Sequence, residues 1–70
     1  MEKQQLKGGI FITPKEIELI TGLSINRARL EHQAIRDALG KPGNRLTVRE
    51  FCEYNLLDFD EVVAYINPYR

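Results

Sequence analysis

The sequence ITPKEIELITGLSINRA at residues 12–28 decides the fold, because it contains a helix start, a helix stop and a second helix start in succession. At its beginning, the hydroxyl of Thr13 can cap a free helical amide, and the Glu16 carboxylate can accept a bond from the Thr13 amide in return. Pro14 fits the first helical position, where a backbone N–H is not needed. Thr13 is therefore predicted to cap the first helix.

Glycines mark the ends of the first two helices. Gly22 follows the first apolar run and Gly40 follows the second, and a glycine in the left-handed conformation is a common helix stop. Between them, Ser24 can cap the second helix, although no acid follows it to complete the reciprocal pair. The pattern predicts helix 1 over 14–21 and helix 2 over 24–39.

The same pattern recurs farther along the chain. Residues 46–62 match the opening stretch at an offset of 34 positions, and Thr47 and Asp58 are each followed three residues later by Glu, as in a capping box. These boxes predict helix 3 over 48–55 and helix 4 over 59–66. Either a duplication or a shared use of capping motifs explains the match. The predicted fold is all-α: a compact four-helix domain built from two helix-turn-helix units, with a long second helix.

The chain is predicted to form one domain. Seventy residues, with 43% hydrophobic and 29% charged side chains, are typical of a single small globular unit. We expect a flexible N-terminal tail over 1–9, a single helical domain over 10–67 and a C-terminal tail over 68–70.

The composition also limits the classes of function. One Cys and one His cannot build a zinc site, and both Cys52 and His32 are expected to be core residues. No apolar run approaches the roughly 18 residues that cross a bilayer. No nucleophile beside a base and no glycine-rich phosphate loop is present. We therefore expect a cytoplasmic protein that is not an enzyme, with no cofactor, metal, membrane contact or small-molecule substrate.

Charge is unevenly distributed, although the formal net charge is zero. Residues 1–45 carry eight Lys or Arg against five Asp or Glu, whereas residues 46–70 carry two against five. If the protein binds nucleic acid, the first part of the chain is predicted to bind it.

Helix 2 has two predicted faces. An apolar stripe at helical spacing is expected to pack on helix 1: Ile25, Ala28, His32, Ile35 and Leu39. A polar stripe lies across from it: Asn26, Arg29, Gln33 and Arg36. Amide and guanidinium side chains can make bidentate bonds to base edges, and an α-helix fits the major groove. A polar face on a surface helix often meets only water, but here a short helix and a three-residue turn opened by Gly22 precede a longer helix capped by Ser24. In this arrangement helix 1 braces helix 2 against a groove. Helix 2 is therefore predicted to read double-stranded DNA.

The segments Phe11–Ile17 and Gly22–Ala28 resemble the helix-turn-helix of small excisionase-like proteins carried by bacterial mobile elements. The resemblance implies a DNA-binding role in recombination or transcription regulation. It also implies a set of contacts from the second helix: Asn26, Arg29 and Gln33 to bases, and Ser24 and Arg27 to phosphates.

Further contacts to the DNA backbone are expected from the cations of the basic part: Lys15, Arg27, Arg36, Lys41 and Arg45. A short pairing of Phe11–Ile12 with Arg45–Leu46 as strands is also compatible with the sequence.

A second apolar face on helix 2 leaves two interpretations open. This face consists of Leu30, Ala34 and Ala38. In the first interpretation, helices 3 and 4 cover it with their apolar side chains: Phe51, Cys52, Phe59, Val62, Val63 and Ile66. In the second, it is the seam of a homodimer that places two reading helices on successive half-sites. The alternative to DNA binding is therefore a different class of function, a protein-interaction or dimerisation module that does not bind nucleic acid.

Overall fold

The computed structural model describes residues 5–70, and its helices begin and end where the capping motifs predict. The elements in chain order are α1 Pro14–Thr21, α2 Ile25–Leu39, α3 Val48–Asn55, α4 Phe59–Ile66 and a 3₁₀ helix Asn67–Tyr69. Within the described residues there is no strand, so the predicted all-α fold with four helices and a long second helix is confirmed. None of these helices is long and apolar enough to span a membrane.

Two helix starts carry complete capping boxes. The Thr13 hydroxyl accepts a bond from the Glu16 amide at 3.3 Å, and Glu16 Oε1 accepts one from the Thr13 amide at 3.1 Å. The same reciprocal pair joins Thr47 and Glu50, at 3.0 and 3.1 Å. Each box satisfies amides that have no partner within their helix.

The other two starts carry only half a box. The Ser24 hydroxyl accepts from the Arg27 amide at 3.3 Å, as the missing acid predicts. At α4, Asp58 accepts from the Glu61 amide at 2.9 Å, but the Asp58 amide does not donate to the Glu61 carboxylate. The prediction of a complete box at Asp58 is therefore wrong, because the Glu61 side chain stays exposed to water.

The helix ends follow the predicted glycines with one difference. Gly22 and Gly40 adopt left-handed conformations, with φ of 78° and 68°. The end of α3 uses Leu56 instead, with φ of 57°. Leu56 occupies the position equivalent to Gly22 in the internal match, and it is 93% exposed. Its left-handed backbone costs about 1 kcal/mol that a glycine would not incur.

One core joins the helices. α1 packs on α2 and on α4, and α4 packs on α3. The core side chains come from every helix and from the two segments that precede α1 and α3: Ile12, Ile17, Ala28, Ile35, Leu46, Val48, Phe51, Cys52, Val62, Val63 and Ile66. The predicted apolar stripe of α2 is buried at Ala28, His32 and Ile35, whereas Leu39, the last residue of the helix, is largely exposed.

The segments before α1 and α3 pair briefly in antiparallel fashion. The Ile12 amide donates to the Leu46 carbonyl at 2.9 Å, and the Val48 amide donates to the Ile10 carbonyl at 2.8 Å. The pairing centres on Phe11 and Thr47, so it lies farther along the second segment than the sequence suggested. It joins the segment before α1 to the start of α3.

The terminal segments differ from the expectation of two tails. Asn67 donates to the Gln5 carbonyl at 2.7 Å and accepts from the Lys7 amide at 3.1 Å. Arg70 donates to the Lys7 carbonyl at 2.6 Å. The described part of the predicted 1–9 tail is thus hydrogen-bonded to the C-terminal segment, and the predicted 68–70 tail contributes to that contact. Residues 1–4 lie outside the described residues.

Helices α3 and α4 do not cover the second apolar face of α2, so that interpretation is wrong. Leu30 is 61% exposed, and Ala34 and Ala38 are also exposed. The apolar side chains of α3 and α4 are instead buried in the core shared with α1, on the opposite side of α2. The face remains on the surface of the chain.

Candidate nucleic-acid interface

The orientation of α2 is set by His32 at the centre of its buried face. His32 Nε2 lies 3.1 Å from the Ile12 carbonyl, and Arg36 Nε donates to His32 Nδ1 at 2.8 Å. Because an arginine nitrogen can only donate, Nδ1 accepts and the ring proton is on Nε2. Burial lowers the pKa of His32, and the nearby charge of Arg36 lowers it further. The bond to the Ile12 carbonyl raises the pKa but does not outweigh them. A neutral histidine therefore anchors α2 to the segment before α1.

The polar side chains assigned to base reading lie on the outer surface of α2. Asn26, Arg29 and Gln33 are all exposed, and Arg27 beside them is exposed as well. Within residues 5–70, none of these four side chains forms a hydrogen bond or an ion pair. The four side chains can therefore meet a ligand without breaking a contact of the fold.

Arg36 does not belong to this exposed set. Its guanidinium donates to His32 through Nε and to the Gly43 carbonyl through Nη1. The residue is partly buried and ties the loop after α2 to the helix. The placement of Arg36 in the outward-facing polar stripe is therefore wrong: its position is at the edge between the outer face and the buried one.

The cations predicted to contact the DNA backbone differ in how firmly the fold holds them. Lys15 pairs with Glu18 at 3.0 Å, but its side chain is 73% exposed, and such a pair contributes little to stability. Lys41 pairs with Glu50 at 2.7 Å and is only one-third exposed. The bond from Lys41 lowers the pKa of Glu50, and the bond from the Thr47 amide is the second-largest cause of the lowering. Lys41 is thus less exposed and more firmly held than Lys15.

Ser24 lies at the start of α2, and Arg45 lies in the loop between α2 and α3. The Ser24 oxygen accepts from the Arg27 amide, and the hydroxyl hydrogen can still donate to a phosphate. The guanidinium of Arg45 lies 5.5 Å from the centre of the Phe11 ring and is exposed. Ser24 and Arg45 are therefore accessible, as are the four exposed polar residues of α2 described above.

The second apolar face adjoins the reading residues. Leu30 lies one helical turn from Asn26 and Arg27 on one side, and from Gln33 and Ala34 on the other. It is exposed in the middle of this surface. Sequence analysis treated this face and the polar stripe as separate surfaces, whereas the structure leaves both exposed side by side.

An ion pair at the base of α1 was missed by the sequence analysis. Arg70 Nε donates to Glu16 Oε2 at 2.5 Å, and its Nη2 donates to Glu16 Oε1 at 2.9 Å. Burial raises the pKa of Glu16, but the bonds from Arg70 and Thr13 outweigh it, so the pKa is lowered overall. The partners are 54 positions apart, and no local pattern signals such a pair.

The potential metal ligands and nucleophiles are dispersed or buried. Within the described part of the chain, no group of three His, Cys, Asp or Glu side chains is placed to hold a metal ion. Cys52 is buried, and this burial raises the pKa of its thiol.

Compared with known protein families, with curated proteins and with solved structures, the chain shows no significant match.

Proposed function

We propose that this chain is a helix-turn-helix DNA-binding domain that reads duplex DNA with the first half of α2. The observation that carries the proposal is the exposure of Asn26, Arg29 and Gln33 on a helix whose opposite face is locked into the core. Rigid placement matters, because a reading side chain must meet a base edge within hydrogen-bond distance. Asn and Gln suit adenine, and Arg suits guanine.

The distribution of charge along α2 favours its N-terminal half. Arg27 and Arg29 lie within its first two turns and outnumber Glu31 there, whereas Arg36 and Asp37 offset each other near its end. Recognition helices of this motif contact bases with their N-terminal residues. Asp37 is 11 residues beyond Asn26, or roughly 16 Å along the axis, so it can remain outside the groove. The exposed Lys15 on α1 then supplies a backbone contact from the bracing helix.

The biological role is a further part of the proposal. The protein regulates transcription or assists recombination, is encoded on a bacterial mobile element and acts in the cytoplasm. This part of the proposal rests on the resemblance of Phe11–Ala28 to excisionase-like proteins. The proposal contains no catalytic step, cofactor or small-molecule substrate. His32 and Cys52 are buried in the core.

Fluorescence anisotropy with a labelled duplex of mixed sequence tests DNA binding. We expect affinity to fall as salt rises, with a slope of log affinity against log salt of about 0.9 for each phosphate neutralised. On duplexes selected for binding from a random pool, R29A should weaken binding about tenfold or more, as the loss of a bidentate base contact does. R49A is the matched control, because Arg49 is an exposed arginine of α3 outside the proposed interface. No salt-sensitive binding, even at low ionic strength, refutes the proposal.

A protein-interaction module is the second candidate, and the exposure of Leu30, Ala34 and Ala38 favours it. In this case the face pairs with a second copy or with another protein. Light scattering of the wild type and of L30D separates the cases. A wild-type dimer that L30D converts to a monomer supports the interaction module. If both the wild type and L30D are monomers, this face does not pair with a second copy of the chain.

A further inference from the structure

We propose that Leu30, with Ala34 beside it, contacts the C5 methyl group of a thymine in the major groove and so makes the protein prefer a thymine at one position of its site. This inference rests on the proposed DNA-binding function and assigns a specificity residue within it. Its starting observation is an apolar side chain, 61% exposed, at the centre of a surface otherwise built for hydrogen bonding.

Leu30 points directly away from the rest of the molecule. It is two residues from both Ala28 and His32, which places it roughly 200° around the helix from each of them. Those two residues are fully buried against the rest of the chain, at 0% and 1% exposure. Leu30 is thus at the crest of the outer face, the part of a helix that enters a groove most deeply.

The neighbours of Leu30 are hydrogen-bonding groups with a single methyl group among them. Asn26 and Arg27 precede it by one turn, and Gln33 and Ala34 follow it by one turn. In the major groove, the edges of the bases present nitrogen and oxygen atoms, and the thymine methyl is the apolar group among them. On the protein, one leucine lies among amide and guanidinium groups, and on the DNA, one thymine methyl lies among polar base edges. The two surfaces are therefore complementary.

The small size of the apolar face argues against a second copy of the chain as its occupant. A stable protein interface takes roughly 20–30 residues from each partner, with an apolar centre. The face on α2 offers one leucine and two alanines, which is far fewer apolar residues than an interface of that size needs.

Uracil scanning tests the inference on duplexes selected for binding from a random pool. Replacing one thymine by uracil removes only the C5 methyl group. We expect wild-type affinity to fall about fourfold at one thymine position, which corresponds to about 0.8 kcal/mol for one buried carbon. L30A should lose this sensitivity, to less than twofold, while its binding remains salt-dependent. L56A is the matched control, because Leu56 is exposed on the turn before α4, and it should keep the full uracil effect.

The outcomes separate this inference from the proposed function. Absence of binding to every duplex refutes DNA binding and the Leu30 contact together. Salt-dependent binding with no uracil-sensitive position, or with the same uracil effect in L30A as in the wild type, overturns only the Leu30 contact. A wild-type dimer that L30D converts to a monomer also overturns it, because the side chain is then covered by protein. Circular dichroism of L30A should match the wild type, since the substituted side chain is exposed.

Discussion

Replacing Arg70 by methionine should destabilise the fold by about 3 kcal/mol. The guanidinium of Arg70 donates to both carboxylate oxygens of Glu16 and to the Phe11 carbonyl at 2.9 Å, besides its bonds to the carbonyls of Lys7 and Gly9. The side chains of the ion pair are only 12% and 10% exposed. R70M keeps most of the side-chain length but removes every one of these donors.

The magnitude follows from what the substitution leaves behind. Removing one partner of a buried ion pair costs about 3–5 kcal/mol, because the other charge stays buried without compensation. Here the carboxylate of Glu16 keeps its bond from the Thr13 amide and retains some contact with water, so the lower end of that range applies. A domain of this size has only a few kcal/mol of stability to lose, so R70M should remove a large fraction of the free energy of unfolding.

Urea unfolding followed by circular dichroism measures this effect. The midpoint should fall without a change in slope if the folded state stays equally compact. R49M is the matched control, since Arg49 is exposed and lies 4.2 Å over the Phe59 ring, a contact expected to contribute under about 1 kcal/mol. A double-mutant cycle with E16Q should show a coupling of about 1–3 kcal/mol.

The pH dependence provides the refuting result. The lowered pKa of Glu16 in the folded state means that the unfolded chain takes up a proton first as the pH falls below about 4.5. The difference in stability between wild type and R70M should therefore be full above this pH and shrink below it. If R70M is no more destabilising than R49M at pH 7, the structural role assigned to Arg70 is wrong.

Two further predictions concern local features of the fold. Burial lowers the pKa of His32, so the unfolded chain binds the proton first and stability should fall as the pH drops below about 6.5. Urea midpoints measured at pH 7.5 and 5.5 check this. The H32Q variant should show a smaller change in midpoint between the two pH values. L56G should raise the free energy of unfolding by up to about 1 kcal/mol, because glycine adopts the left-handed conformation of residue 56 without strain; an unchanged or lower urea midpoint would show that the turn is not strained.

The positions of the helices were predictable because their signals are local. A capping bond such as that between Thr13 and Glu16 spans three residues, so both partners appear in one short window of sequence. The same holds for the glycine stops. The end of α3 at Leu56 shows the limit of this reasoning, because leucine carries no sign of a left-handed backbone.

The candidate interface was predictable only in part. The exposure of Asn26, Arg29 and Gln33 follows from helical periodicity, which assigns a residue to a face but does not identify its neighbours. Arg36 differs from them because His32 and the Gly43 carbonyl occupy its guanidinium. Periodicity could not reveal that contact, since it depends on the path of the loop after α2.

The amino-acid sequence by itself determined the four helices, their caps and the concentration of positive charge in the first part of the chain, since these depend on residues within one or two helical turns or on composition. Only the tertiary structure decided that Leu30 stays uncovered, that Lys41 is paired with Glu50 and that Arg70 binds Glu16. These outcomes depend on how rigid helices pack, and packing joins side chains that are far apart in sequence and leave no local pattern.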